Sequence, residues 1–145
     1  RVNGTVKVTF DHVTPLKSDG KFRITLEGIA VPAQTYMGFN IPQINISEAL
    51  IDASIAGDKL VINEFIVGKD IKADDLVAKV TGDITLSGLI AKSRVNAKAV
   101  FEISKRIITT FPLLDALIGP AKGADGKYAY RVSGVLSALE PSPGG

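Results

Sequence analysis

The chain has no cysteine, no tryptophan, one histidine and one methionine. Without cysteine it forms no disulfide, no zinc–thiolate or iron–sulfur site and no thiol nucleophile. A single histidine rules out a metal site built on several imidazoles. That residue, His12, follows Asp11, and neighbours on a strand point to opposite faces, so the two do not form a working acid–base pair. A surface or turn position is expected for it. Within this sequence no apolar run is long enough to span a bilayer and none has the layout of a signal peptide, so either a natively soluble protein or one whose anchor has been removed is expected. The 17 Lys and Arg residues against 15 Asp and Glu leave a net charge of +2. The basic residues are scattered among acidic ones, and nucleic-acid binding needs a clustered patch to displace counterions from phosphate.

The catalytic inventory is equally thin. No acidic cluster has EF-hand spacing. Gly119-Pro120-Ala121-Lys122-Gly123 puts a lysine near glycines but lacks the spacing and the Ser or Thr of a phosphate loop. No Gly-x-Ser-x-Gly elbow occurs. Asp74-Asp75 is a candidate carboxylate pair, yet adjacent residues diverge on a strand and are solvated in a turn, whereas glycosidase-type pairs face one cleft. A structural role is expected for both. The chain is therefore read as non-enzymatic, with no catalytic, cofactor-binding or metal-binding residue and no cofactor.

What is abundant is period-two alternation. In Thr5–Asp11, Val6, Val8 and Phe10 share one face of a strand. Ser18-Asp19-Gly20 reads as a turn, and Lys21–Glu27 alternates again, so these runs predict an antiparallel hairpin. Gly28–Pro42 reads as an irregular loop or edge excursion, because Pro32 and Pro42 cannot donate to a ladder. It carries a candidate contact loop at Tyr36, Met37 and Phe39. Ile44–Ile55 reads as strand. Gly57-Asp58 turns into Lys59–Val67, where apolar residues occupy both parities, which predicts a strand covered on both sides or a bulge near Asn63 and Glu64. Strands are expected over 74–81 and 83–86, separated at Gly82, and over 93–103.

One helix is expected at about 104–118. Ser104 is its N-cap, Pro112 kinks or restarts it, and Gly119-Pro120 ends it. A last strand follows, with Tyr128, Tyr130 and Val132 on one face. The fold class is mainly β: an antiparallel meander forming a curved sheet, half-pipe or sandwich, with that helix before the last strand. Residues 1–140 read as one domain and 141–145, rich in Pro and Gly, as a linker-like tail. A helix covering part of one face leaves an apolar trough unless the sheet closes into a sandwich that consumes these side chains. If a groove exists, Val95, Phe101, Phe111, Leu114 and Leu117 are the residues expected to line or cap it.

Three stretches together resemble a known group. They are Gly57–Phe65, Thr81–Leu86 and Asp125–Leu136, the last followed by a Pro-containing tail. In that order they resemble the C-terminal part of GspN-type proteins of bacterial type II secretion systems, which are similar in turn to the AsmA-like envelope proteins. The likeness covers roughly the second two-thirds of the chain and rests on β-turn punctuation. It implies a periplasmic domain tethered to the inner membrane by an upstream helix, with an accessory role beside other secretion-system or envelope proteins. The AsmA-like relatives imply an alternative, a lipid-binding or lipid-transfer domain whose partner is phospholipid. A carbohydrate-binding or adhesin-like β domain is a distant alternative, disfavoured by aromatics at only 6%.

Overall fold

The computed structural model describes residues 7–10, 18–36 and 38–144. Ten strands follow the chain: β1 (Lys7–Phe10), β2 (Ser18–Val31), β3 (Gln34–Tyr36), β4 (Phe39–Ile41), β5 (Ile44–Gly57), β6 (Lys59–Val67), β7 (Leu76–Thr85), β8 (Arg94–Ile103), β9 (Tyr128–Val135) and β10 (Ala138–Pro143). Two short helices, α1 (Lys105–Thr110) and α2 (Leu113–Ile118), lie between β8 and β9. Eight strands form one antiparallel sheet in the order β1-β2-β5-β6-β7-β8-β9-β10, and β3 and β4 pair with each other. The sheet is an open meander of the mainly-β class, with the helices before the last strands. Among the described residues it is a single layer and not a sandwich.

Prolines explain why β3 and β4 stand apart. The partner numbers in β2–β5 (Val31 with Ile44) and in β3–β4 (Gln34 with Ile41) keep one register. The two pairs are thus one long hairpin, interrupted where Pro32 and Pro42 lack the N–H a ladder needs. The stretch expected to be irregular is therefore mostly strand. Likewise Ser18-Asp19-Gly20 is not a turn; it extends β2 against Ile55, Ala56 and Gly57. The pairing of β1 with β2 agrees with the expected hairpin, and the rest of that first run, His12 included, lies outside the described residues.

Three further differences have local causes. Gly82 does not divide two strands; β7 runs through it with φ 148°, and a Cβ there would meet the Asn96 carbonyl and Ala97 Cα of β8. Asp74 and Asp75 precede β7 and are buried in the 68–75 loop, not solvated. The tail is not a linker, because Pro141 and Pro143 belong to β10, opposite Val132 and Tyr130. The Gly144 amide donates to the Ala129 carbonyl at 2.8 Å. Hydrogen-bonded positions alternate along an antiparallel pair, so both prolines occupy positions whose missing N–H faces the free edge. That is where a strand tolerates proline.

The helical region follows its sequence signals closely. Ser104 Oγ accepts from the Ile107 amide, and Pro112 ends α1 and starts α2. The bulge in β6 is also present: the partner register shifts by one residue at Asn63 on both sides of the strand. Among the described residues the buried hydrophobic ones are few, namely Ile46, Ala49, Ala53, Ile107, Ala121 and Tyr128.

Candidate functional site

Cross-strand partners share a face of a sheet. The register therefore gives rows of side chains running across the strands. One row is Phe22, Ala53, Ile62, Gly82, Ala97 and Val132. The next is Ile24, Ile51, Phe65, Val80, Ala99 and Tyr130, and a third is Leu26, Ala49, Val67, Ala78, Phe101 and Tyr128. A fourth, at the far end, contains Ile55, Leu60, Ile84 and Val95. No charged residue interrupts these rows. The opposite face carries Lys21, Ser54, Val61, Asp83, Asn96 and Ser133 in one row, and Arg23 and Asp52, an ion pair at 3.6 Å, in another.

The Asn63 bulge makes the apolar face continuous. Leu60 and Ile62 are even-numbered, Phe65 and Val67 odd-numbered, and strict alternation would place the two pairs on opposite faces. One extra residue shifts the phase, so all four lie on the same side. With strands about 4.8 Å apart and same-face rows about 6.8 Å apart, six strands and four rows span on the order of 800 Å². The largest apolar patch of an ordinary monomer is roughly 300–600 Å². Most of these side chains are only half-buried, and among the described residues no second sheet covers them.

One end of the face is closed. Phe101 stacks on Tyr128 with ring centroids 5.4 Å apart and on Tyr130 at 6.1 Å. The Tyr128 hydroxyl donates to Asp115 Oδ1 of α2 at 3.0 Å. Burial, then the Asp115 carboxylate, pushes the Tyr128 phenol pKa up. From the other side Phe39, near the tip of the long hairpin, approaches Phe111 at 6.1 Å. Helices and hairpin tip thus meet at the same end.

A polar knot fastens this closure. Asp74 accepts from the amides of Ser47, Lys69 (2.7 Å) and Asp70 (3.1 Å) and from the Ser47 hydroxyl (3.0 Å). Burial alone would push its pKa up, but those donors outweigh burial and hold it below the usual carboxylate range. Asp75 takes the Arg106 guanidinium in a two-pronged contact, the Asn45 amide at 2.8 Å and the Ser104 hydroxyl at 3.0 Å. Arg106 holds the Asp75 pKa down against burial, with the Asn45 and Ser104 donors helping. Arg106 also donates to the Gln43 carbonyl at 2.6 Å. One arginine therefore ties α1 to both the proline interruption of the long hairpin and the loop before β7.

The five residues expected to form a groove do not form one cluster. Val95 and Phe101 share the apolar face at opposite ends of β8. Phe111 and Leu114 are half-buried in the helical closure, and Leu117 is 69% exposed. Of the expected contact loop, Phe39 is 46% exposed and touches Phe111. Tyr36 ends β3, and Met37 lies outside the described residues. A concavity of about 590 Å³ lies on the polar face over Ile66, Val77 and Val100, beside the Lys69–Glu48 ion pair (2.8 Å). Leu89 and Ile90, both strongly exposed, attract no notice from periodicity. Their signal is an apolar pair in a Ser-Gly-containing connection where alternation stops.

Among the described residues, no group of three or more His, Asp or Glu is placed to hold a metal ion, and no helix is long and apolar enough to cross a membrane. A scan against protein-family models found no match, and searches of curated proteins and of solved structures found none either.

Proposed function

We propose that this chain is a non-enzymatic lipid-binding domain whose uncovered sheet face receives acyl chains. One observation carries the reading: side chains of six neighbouring strands are apolar on one face, are mostly half-buried and, among the described residues, meet a closure at one end only. Burying that surface against hydrocarbon yields roughly 25 cal/mol per Å². An aliphatic chain asks for continuous apolar surface without directional hydrogen bonds, which matches a face that offers none. The resemblance to AsmA-like envelope proteins agrees with this, and it suggests a periplasmic setting. The GspN-type resemblance supports a scaffold role in a secretion assembly, in which a protein partner would occupy the same face.

Binding of a fluorescent fatty acid tests the proposal, with Val80→Asp and Ala99→Asp as variants and Lys79→Glu on the polar face as control. The face variants are expected to keep their circular dichroism spectrum and lose binding, and the control to keep both. Native mass spectrometry of protein purified from a bacterial envelope should show co-purifying phospholipid. A lipid-free protein bound to a specific protein partner would favour the scaffold. Folded face variants with undiminished fatty-acid binding would overturn the lipid reading.

A further inference from the structure

The connection from β7 to β8 stands at the end of the sheet opposite the helices. Its Leu89 and Ile90 are 62% and 74% exposed, and Leu136 in the adjoining β9–β10 turn is 42% exposed. This exposure belongs to a built loop. The Lys92 and Ser93 amides donate to the Leu89 and Ile90 carbonyls at 2.8 and 3.0 Å. Ser93 is 1% exposed, and its hydroxyl accepts from the Ser87 amide at 3.1 Å. The Leu136 and Ser137 amides donate to the Ser93 and Ala91 carbonyls at 2.8 and 3.1 Å, joining the two turns. The loop joins β7 and β8, which pair along ten residues each.

Within the loop segment itself the charge has one sign. From Thr85 to Asn96 the chain carries Lys92 and Arg94 and no acid. The Gly57-Asp58 turn lies alongside, since the Leu86 amide donates to the Asp58 carbonyl at 2.6 Å. Lys59 pairs with Asp83 at 3.6 Å, so the nearby strand acid already has a cationic partner.

We propose that this end of the sheet is a membrane-contact tip. Leu89, Ile90 and Leu136 enter the interfacial layer of a bilayer, and Lys92 and Arg94 lie against anionic headgroups. A rigid aliphatic knob with a basic collar is the chemistry of an interfacial anchor. Protein interfaces more often centre on aromatic and arginine anchors in pockets, and no aromatic residue is present in this loop. The row through Ile84 and Val95 begins directly behind it, so a lipid leaving the bilayer here meets the end of the apolar face that no described helix or strand closes. The tip goes beyond the lipid-binding reading and stands without it, because vesicle attachment needs no occupant on the sheet.

Vesicle flotation tests the tip, using phosphatidylcholine vesicles with and without phosphatidylglycerol. Wild type is expected to float with the anionic vesicles, less so at high salt. The double variant Leu89→Ser/Ile90→Ser should bind about tenfold more weakly, and Lys92→Gln should weaken only the anionic component. Neither change removes a hydrogen bond that holds the loop. Since the chain has no tryptophan, Ile90→Trp supplies a single reporter whose emission should shift to the blue on vesicles. Val80→Asp should lose fatty-acid binding yet still float, which separates failure of the tip from failure of the face. Wild type that never floats, an unshifted Ile90→Trp, or undiminished flotation of the double serine variant would overturn the tip. So would concentration-dependent self-association abolished by that same double variant, which would assign the patch to a second copy of the chain.

Discussion

Asp74 and Asp75 are consecutive residues with opposite tasks. Asp74 folds its own loop around itself, and Asp75 reaches out to the helical closure. Asp74→Ala removes four hydrogen bonds and leaves three amides without their acceptor, and a charge-assisted bond contributes about 1.5–3 kcal/mol. A loss of about 3 kcal/mol in urea unfolding is expected, with Asp74→Asn less severe. Both carboxyls have folded-state pKa values below their unfolded values. Their contribution is therefore complete above the ordinary carboxylate range near 4 and fades as pH falls through the depressed values. Stability should drop on acidification below about pH 4–5, and Asp74→Asn/Asp75→Asn should flatten that acid limb. A midpoint independent of pH in wild type would contradict this. At Gly82 the space is occupied by backbone of β8, so Gly82→Ala should cost about 2 kcal/mol or more. The sequence revealed that adjacent aspartates diverge. It did not reveal their burial, since Ser47, Ser104 and Arg106 come from 27 to 31 residues away.

At the scale of elements, alternation identified most strands because one face of each is dry, and mixed parity around Asn63 left a doubly covered strand or a bulge, of which the register shows the bulge. Ser104 and Pro112 marked the helices because capping and proline effects are local. Strand ends were harder to read. Pro32 and Pro42 signal an interruption, but only the shared register across both shows that the hairpin resumes beyond them. Pro141 and Pro143 look like linker residues in composition, yet an edge strand has one side that needs no donors. That edge now lacks amides where a further strand would dock. Replacing both prolines by threonine should restore two outward N–H groups and promote edge-to-edge association, measured by sedimentation velocity. A monomer unchanged at high concentration would show that the prolines do not guard the edge.

At the scale of the molecule, the sequence announced a dry face and left open what lies over it. Sandwich and open sheet share the same alternation, because the pattern records which residues avoid water and not which layer shields them. The structure shows a single layer. A buried charge in a close-packed core costs several kcal/mol, whereas Val80→Asp lies on a half-exposed face and is expected to cost about 1 kcal/mol. An unfolded Val80→Asp protein would mean that the face is a true interior. An environment-sensitive dye such as anilinonaphthalene sulfonate should bind the native protein, and its displacement by fatty acid would report on the same surface.

Every strand of the meander borders its neighbours in chain order, apart from the excursion that makes the hairpin tip. Tension applied to the two termini would therefore meet no central clamp. The sheet should come apart like a zip, one strand at a time from its edges, with the knotted segment around Arg106 giving way last on its side. Optical-tweezer traces should show a staircase of small extensions and not one abrupt rupture.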